Sequence, residues 1–132
     1  MTRRRGTRWP ATAWGPMRRG AVYLADLDPA RGSEAARRRL VVVVSHDALN
    51  RTVASLGRGV VTVVPLTSNV AVVHPFQVLV PAGAAGLDRS SKARAEQVRA
   101  IAVERLGPRS LGSLPPALLA ELDDALRLHL AL

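Results

Sequence analysis

The stretch Asp26-Leu-Asp-Pro-Ala-Arg-Gly-Ser-Glu-Ala-Ala-Arg-Arg-Arg-Leu-Val-Val-Val-Val-Ser45 decides how the chain is read. Its first part is a polar, glycine-containing loop that carries Arg31, Ser33, Glu34 and the triplet Arg37, Arg38 and Arg39. Its second part is the most strongly β-forming run in the sequence, a strand over 40–44 whose unbroken apolar character predicts burial on both faces. Arginine is always charged, and its planar fork matches phosphate oxygens. Several arginines and one carboxylate at a strand entrance therefore suit an anionic ester better than a metal. The alternative reading of the same residues is a solvated basic turn.

Ala21–Asp26 reads as a first strand and 40–44 as a second, so that the two bracket the arginine loop. Residues 60–66 and 76–80 read as a third and a fourth strand, with turn signals at Gly57-Arg58-Gly59 and over 83–86. Several short strands in a small chain predict a barrel or sandwich. Residues 46–59 are long for a hairpin connection and form a candidate substrate-contacting loop beginning at His46; the other reading is a surface excursion with one helical turn begun at Ser45 or Asp47. From Pro115 and Pro116 onward, Leu118, Leu119, Leu122, Ala125, Leu126 and Leu130 recur at helical spacing and predict one amphipathic helix with these residues inward.

The bounds are set by size and charge. A chain of 132 residues supports a single core, and the absence of cysteine excludes a disulfide framework and a cysteine-based zinc site, which makes a reducing cytoplasm the expected compartment. No histidine and carboxylate spacing describes a metal site, and no cofactor motif occurs; no apolar run reaches membrane-spanning length. The formal charge of +9 favours a polyanionic partner. Arg3, Arg4, Arg5 and Arg8 supply four of those charges, which leaves +5 for the body.

Residues 1–16 show no helical or strand period and read as a flexible basic arm, whose Trp9 and Trp14 offer stacking surfaces for bases as a functional alternative. Met17 is the expected natural start, or the arm is a dispensable addition. Outside the arm only Tyr23 and Phe76 are aromatic besides histidine, and both alternate with apolar residues in strands, which predicts core packing. Among the histidines, His74 and His129 suit surface or packing roles better than catalysis.

Asp28-Pro29-Ala30-Arg31-Gly32-Ser33-Glu34, followed by Arg39-Leu40 and a hydrophobic strand, resembles the signature of the MazF/PemK family of toxin endoribonucleases. The resemblance extends over 19–132 through Pro65-Leu66-Thr67-Ser68, Gly86-Leu87, Glu96-Gln97-Val98-Arg99 and Asp124-Ala125-Leu126. Ala35 stands where the family has Gln, and Leu40 where it has Pro; without proline's fixed φ, Arg39 must be oriented by packing. Over 91–106 local propensity favours a helix, whereas the matching family segment is a strand. Following the family, strand alternation puts Gln97, Arg99 and Ile101 on one face and Val98, Ala100 and Ala102 on the other.

The resemblance implies a mainly β fold, a small SH3-like β-barrel of the CcdB/MazF type with a C-terminal α-helix over 17–132. It implies a type II toxin that cleaves single-stranded RNA without a metal, acts as a homodimer in the cytoplasm and is held by a cognate MazE-like antitoxin. Arg39 and Thr67 correspond to the family's catalytic residues, and Glu34 is the candidate general base. Ser33, Ser91, Gln97 and Arg99 match positions near the substrate, with Arg31, Arg37, Arg38 and Ser68 as further RNA-binding candidates. The same barrel also carries CcdB-like toxins that poison gyrase without catalysis, and this is the rival reading.

Overall fold

The computed structural model describes residues 14–27 and 38–132. The strands are β1 (Ala21–Asp26), β2 (Arg38–Val43), β3 (Val60–Thr67), β4 (Gln77–Val80), β5 (Ser91–Arg94), β6 (Arg99–Ala102) and β7 (Leu106–Ser113), and the helices are α1 (Asp47–Leu56) and α2 (Pro116–Leu130). All seven strands join one antiparallel sheet in the order β4-β5-β3-β2-β1-β7, with β6 pairing β3 beside β5. No helix among the described residues is long and apolar enough to cross a membrane.

The sheet buries both faces, as the valine run predicts. Val41 and Val43 join one core with Tyr23, Val61, Val63, Ile101 and the α1 residues Val53 and Ala54. Val42 joins the other with Val22, Val64, Leu66, Val78, Val80 and the α2 residues Leu122 and Ala125. Period-two alternation along β2 thus feeds two cores at once. Each buried valine contributes roughly 1.5–3 kcal/mol of hydrophobic transfer free energy, which makes β2 the stiffest support available for what precedes it.

The two ends of the strand order meet. A 3-10 turn at Ala84–Gly86, which follows β4, packs against β7 so closely that a Cβ on Gly86 would lie 2.1 Å from the Leu111 carbonyl oxygen. From the other side, a Cβ on Gly112 would lie 2.7 Å from the Ala85 carbonyl carbon and oxygen. Glycine at both positions lets backbone touch backbone, and this closes the curled sheet.

Five expectations are corrected. Residues 46–59 form a ten-residue helix, α1, rather than a substrate loop. His46 caps it by accepting a hydrogen bond from the Ala48 amide through Nδ1 at 3.0 Å, and Gly57, with φ of 69°, ends it in the left-handed conformation. The carboxylate of Asp47, in its first turn, accepts from the Arg19 amide at 2.6 Å. That bond is the leading cause that holds the Asp47 carboxyl below the usual carboxylate range. The same Arg19 donates Nε to the Val44 carbonyl at 2.8 Å and pairs with Asp123 of α2 at 2.5 Å, which fastens the start of β1 to both helices.

Second, Trp14 does not belong to an arm. It is 4% exposed, sits in the first core with Met17 and donates its indole N–H to the Leu106 carbonyl at 3.1 Å. Residues 1–13 lie outside the described part. Third, 91–106 is neither a helix nor one strand: the 3-10 turn Ala95–Gln97 separates β5 from β6, so Gln97 is not in register with Arg99 and Ile101. Within β6, Ile101 is buried while Arg99 is exposed. Fourth, Leu130 is exposed at the end of α2, while Leu122 and Ala125 carry its buried face. Tyr23 is buried as expected, and this burial pushes its phenol pKa up. Fifth, Phe76, expected to pack in the core from a strand, precedes β4, is half-buried and belongs to neither core.

Candidate active site

β2 opens with Arg38 and Arg39, which are exposed, while the valines that follow them in the strand are buried. On one side β2 pairs with β1, with Ala25 opposite Arg39. On the other it pairs with β3 in the register Val43 to Val63, Val42 to Val64 and Val41 to Pro65. Continued for two more residues, this register sets Arg39 across from Thr67 at the end of β3. Two strands that are rigid because both faces are buried thus bring a guanidinium-bearing and a hydroxyl-bearing residue to one sheet end.

A cleft of about 310 Å³ opens there. Arg38, Arg39 and Leu40 line it from β2, and Leu66, Thr67 and Ser68 from β3. Gly86, Leu87, Asp88 and Arg89 contribute from the turn region, with Ser91 from β5 and Leu111 from β7. Four leucines supply the apolar part of the lining, and three guanidinium groups against one carboxylate leave it positive.

Thr67 has a defined hydrogen-bonding state. Its Oγ1 accepts from the Asn69 amide at 3.3 Å, which leaves the hydroxyl hydrogen as the group's donor. Ser91 is buried and donates its hydroxyl to the Arg89 carbonyl at 3.3 Å, which links β5 to the segment that carries Asp88. Neighbouring Lys92 is the register partner of Thr67 on β5 and donates Nζ to the Val72 carbonyl at 2.6 Å. Among the described residues no group of three or more histidine, aspartate or glutamate side chains is arranged to hold a metal.

Of the candidates named from sequence, Arg38, Arg39, Thr67, Ser68 and Ser91 come together in the cleft. Gln97 and Arg99 do not line it: Gln97 is on the 3-10 turn and Arg99 is paired with Val63, in the middle of β3 and four residues before Thr67. Arg31, Ser33, Glu34 and Arg37 lie outside the described residues, in the segment that runs into Arg38. Sequence reasoning missed Asp88 and Arg89. Their signal was positional, since they stand between Gly86-Leu87 and Ser91, both already quoted as parts of the family pattern.

With this geometry in hand, residues 18–130 match the family of PemK-like, MazF-like toxins of type II toxin–antitoxin systems. The chain belongs to that family. It is 59% identical over 116 residues to endoribonuclease MazF9 of Mycobacterium tuberculosis, covering 88% of this chain and 98% of the relative. It is also 32% identical over 117 residues to endoribonuclease EndoA of Bacillus subtilis, covering 88% and 96%. Among solved structures, a mycobacterial endoribonuclease in complex with its cognate antitoxin superposes with a TM-score of 0.67 at 26% identity, covering 86% of this chain and 94% of the other. A MazE-MazF structure from Deinococcus radiodurans gives 0.69 at 26% identity, covering 89% and 97%. The mainly antiparallel β fold with a C-terminal helix is therefore that of the MazF toxins.

Proposed function

We propose that this toxin is a metal-independent, sequence-specific endoribonuclease that cuts single-stranded RNA by attack of the RNA's own 2′-hydroxyl. The observation that carries this reading is the cleft itself: Arg39 and Thr67 line one basic hollow at the end of two adjacent strands. In the reaction, the 2′-oxygen bonds to phosphorus and the bond from phosphorus to the 5′-oxygen breaks. The 2′-hydroxyl gives up its proton and the departing 5′-oxygen gains one, which leaves a cyclic phosphate and a 5′-hydroxyl. DNA lacks the nucleophile.

The tasks divide among the cleft residues by chemistry. The Arg39 guanidinium neutralises charge that grows on the phosphoryl oxygens, and Thr67 donates its hydroxyl hydrogen to one of them. Arg38, Arg89, Ser68 and Ser91 support the RNA backbone beside them. A guanidinium stays protonated near neutral pH, so the proton acceptor is a carboxylate. Glu34 precedes Arg39 in the loop and Asp88 stands on the cleft wall, and these are the two candidates.

The toxin works as a homodimer in the cytoplasm, restrained by an acidic MazE-like antitoxin that covers the basic cleft. The mycobacterial and Deinococcus structures in which a related toxin is seen with its antitoxin support that partner. The rival, a CcdB-like gyrase poison, is disfavoured by relatives at 59% and 32% identity that are endoribonucleases. Incubation with single-stranded RNA in EDTA tests the reading. Cleavage with cyclic-phosphate ends, lost when a 2′-deoxynucleotide replaces the residue before the cut and lost in Arg39→Ala, is the expected result. RNA that stays intact with wild-type protein while gyrase is inhibited overturns it.

A further inference from the structure

Resting on that reading, we propose that the stacked rings of His74 and Phe76 form a platform, outside the cleft itself, on which a base of the bound RNA that flanks the scissile site stacks. Their ring centroids are 5.3 Å apart and the planes differ by 10°, a parallel stack. Trp14 and Tyr23 are locked in the first core, whereas His74 is exposed and Phe76 is half-buried beneath it. Their exposed pair is a ready-made π surface, since a base can be added to an existing stack without moving either ring.

The platform is aimed by a rigid support. The His74 backbone amide donates to the Gln77 side-chain carbonyl at 3.0 Å, and the Gln77 side-chain Nε2 donates to the Glu96 carboxylate at 2.8 Å. The Phe76 carbonyl accepts from the Ala95 amide at 3.3 Å. These bonds fix both ends of the His74-Pro75-Phe76 step to β4 and to the turn after β5. The preceding segment leaves the cleft at Thr67 and Ser68 and is held down at Val72 by Lys92, the register partner of Thr67. A single strand that leaves Arg39 and Thr67 along this segment meets Lys92 with its phosphates and His74 with its base. Stacking reads a ring rather than a hydrogen-bond pattern, so the platform sets register and affinity while tolerating more than one base.

The test uses the full chain, a single-stranded oligoribonucleotide with a mapped cut, and a set of copies in which one flanking position at a time is abasic. His74→Ala is expected to raise KM roughly tenfold while kcat stays close to wild type, and His74→Phe, which keeps a ring, to restore KM. One abasic position should cost wild type about the same factor and cost His74→Ala little, because the partner ring is already gone. Phe76→Leu, in which His74 loses its supporting ring, should fall between them. A KM unchanged in His74→Ala, or an abasic penalty equal in both proteins, overturns the platform. Failure of the nuclease reading itself shows as wild-type protein that leaves RNA intact. In that case the same comparison is read as Kd for the intact and abasic oligonucleotides, with the same outcomes supporting or overturning the platform.

Discussion

Replacing Gly86 by alanine separates the two reasons this position is glycine, and two other glycines serve as controls. Gly83 has φ of +89° and nothing within 4 Å of an added Cβ, so Gly83→Ala carries only the left-handed penalty, about 1–2 kcal/mol. Gly112 would place its Cβ 2.7 Å from the Ala85 carbonyl group and 3.0 Å from the Gly86 amide nitrogen, and all of these are backbone atoms that cannot rotate away. Gly112→Ala therefore carries an overpacking cost of about 1–3 kcal/mol. Gly86 combines both: φ of +75° and a Cβ at 2.1 Å from the Leu111 carbonyl oxygen. Gly86→Ala should cost about 2–5 kcal/mol by summing the two, a large share of a stability of roughly 5–15 kcal/mol. Urea unfolding of the three variants beside wild type gives the order directly. Because Gly86, Leu87 and Leu111 line the cleft, Gly86→Ala should also weaken RNA cleavage at temperatures where the protein remains folded. A Gly86→Ala midpoint no lower than that of Gly83→Ala would refute the claim that backbone contact between the turn and β7 closes the sheet.

Trp14→Ala should destabilise by about 3–5 kcal/mol, as for a buried aromatic, and Trp14→Phe, which loses the bond to Leu106, by about 1 kcal/mol in denaturant titrations. Asp47→Ala should cost about 1–2 kcal/mol at neutral pH through loss of the charge-assisted bond from Arg19. Because the folded carboxyl is held low, chiefly by that bond, its contribution is complete above the unfolded value of about 3.9 and is lost as pH falls through the folded value. The gap between wild type and Asp47→Ala should therefore narrow in acid unfolding series only below about pH 4. Glu34→Gln and Asp88→Asn, assayed for kcat against pH, identify the proton acceptor. The true base should lose roughly 10²–10⁴ in rate together with the acidic limb of the profile, and the other residue should keep both.

The central strands were legible because their pattern has one physical solution. Residues 40–44 contain no polar side chain, so only a strand covered on both faces satisfies them, and β1 follows from its turn-bounded β-forming run. What stayed hidden depended on partners distant in sequence. α1 has a local cap signal at Ser45 and Asp47, which the sequence offered as a single helical turn, but the Arg19 amide that holds Asp47 lies 28 residues away and is not visible in local spacing. β7 reads Leu-Gly-Pro-Arg-Ser-Leu-Gly-Ser, a poor strand by composition, and it exists as an edge strand where proline is tolerated and β1 supplies the ladder. At the site, Arg39 and Thr67 were reached by resemblance, yet their juxtaposition comes from the β2-β3 register. Asp88 and Arg89 enter the cleft only because the turn before them is pressed against β7.

Single-turnover cleavage of one mapped RNA by wild type, Arg39→Ala, Thr67→Ala and the double variant tests the central claim most directly. Groups that act on one phosphate act as a unit, so each single variant should lose at least about 10²-fold in rate, and the double variant little more than the worse single one. Losses that multiply, or a Thr67→Ala enzyme as fast as wild type, would contradict it.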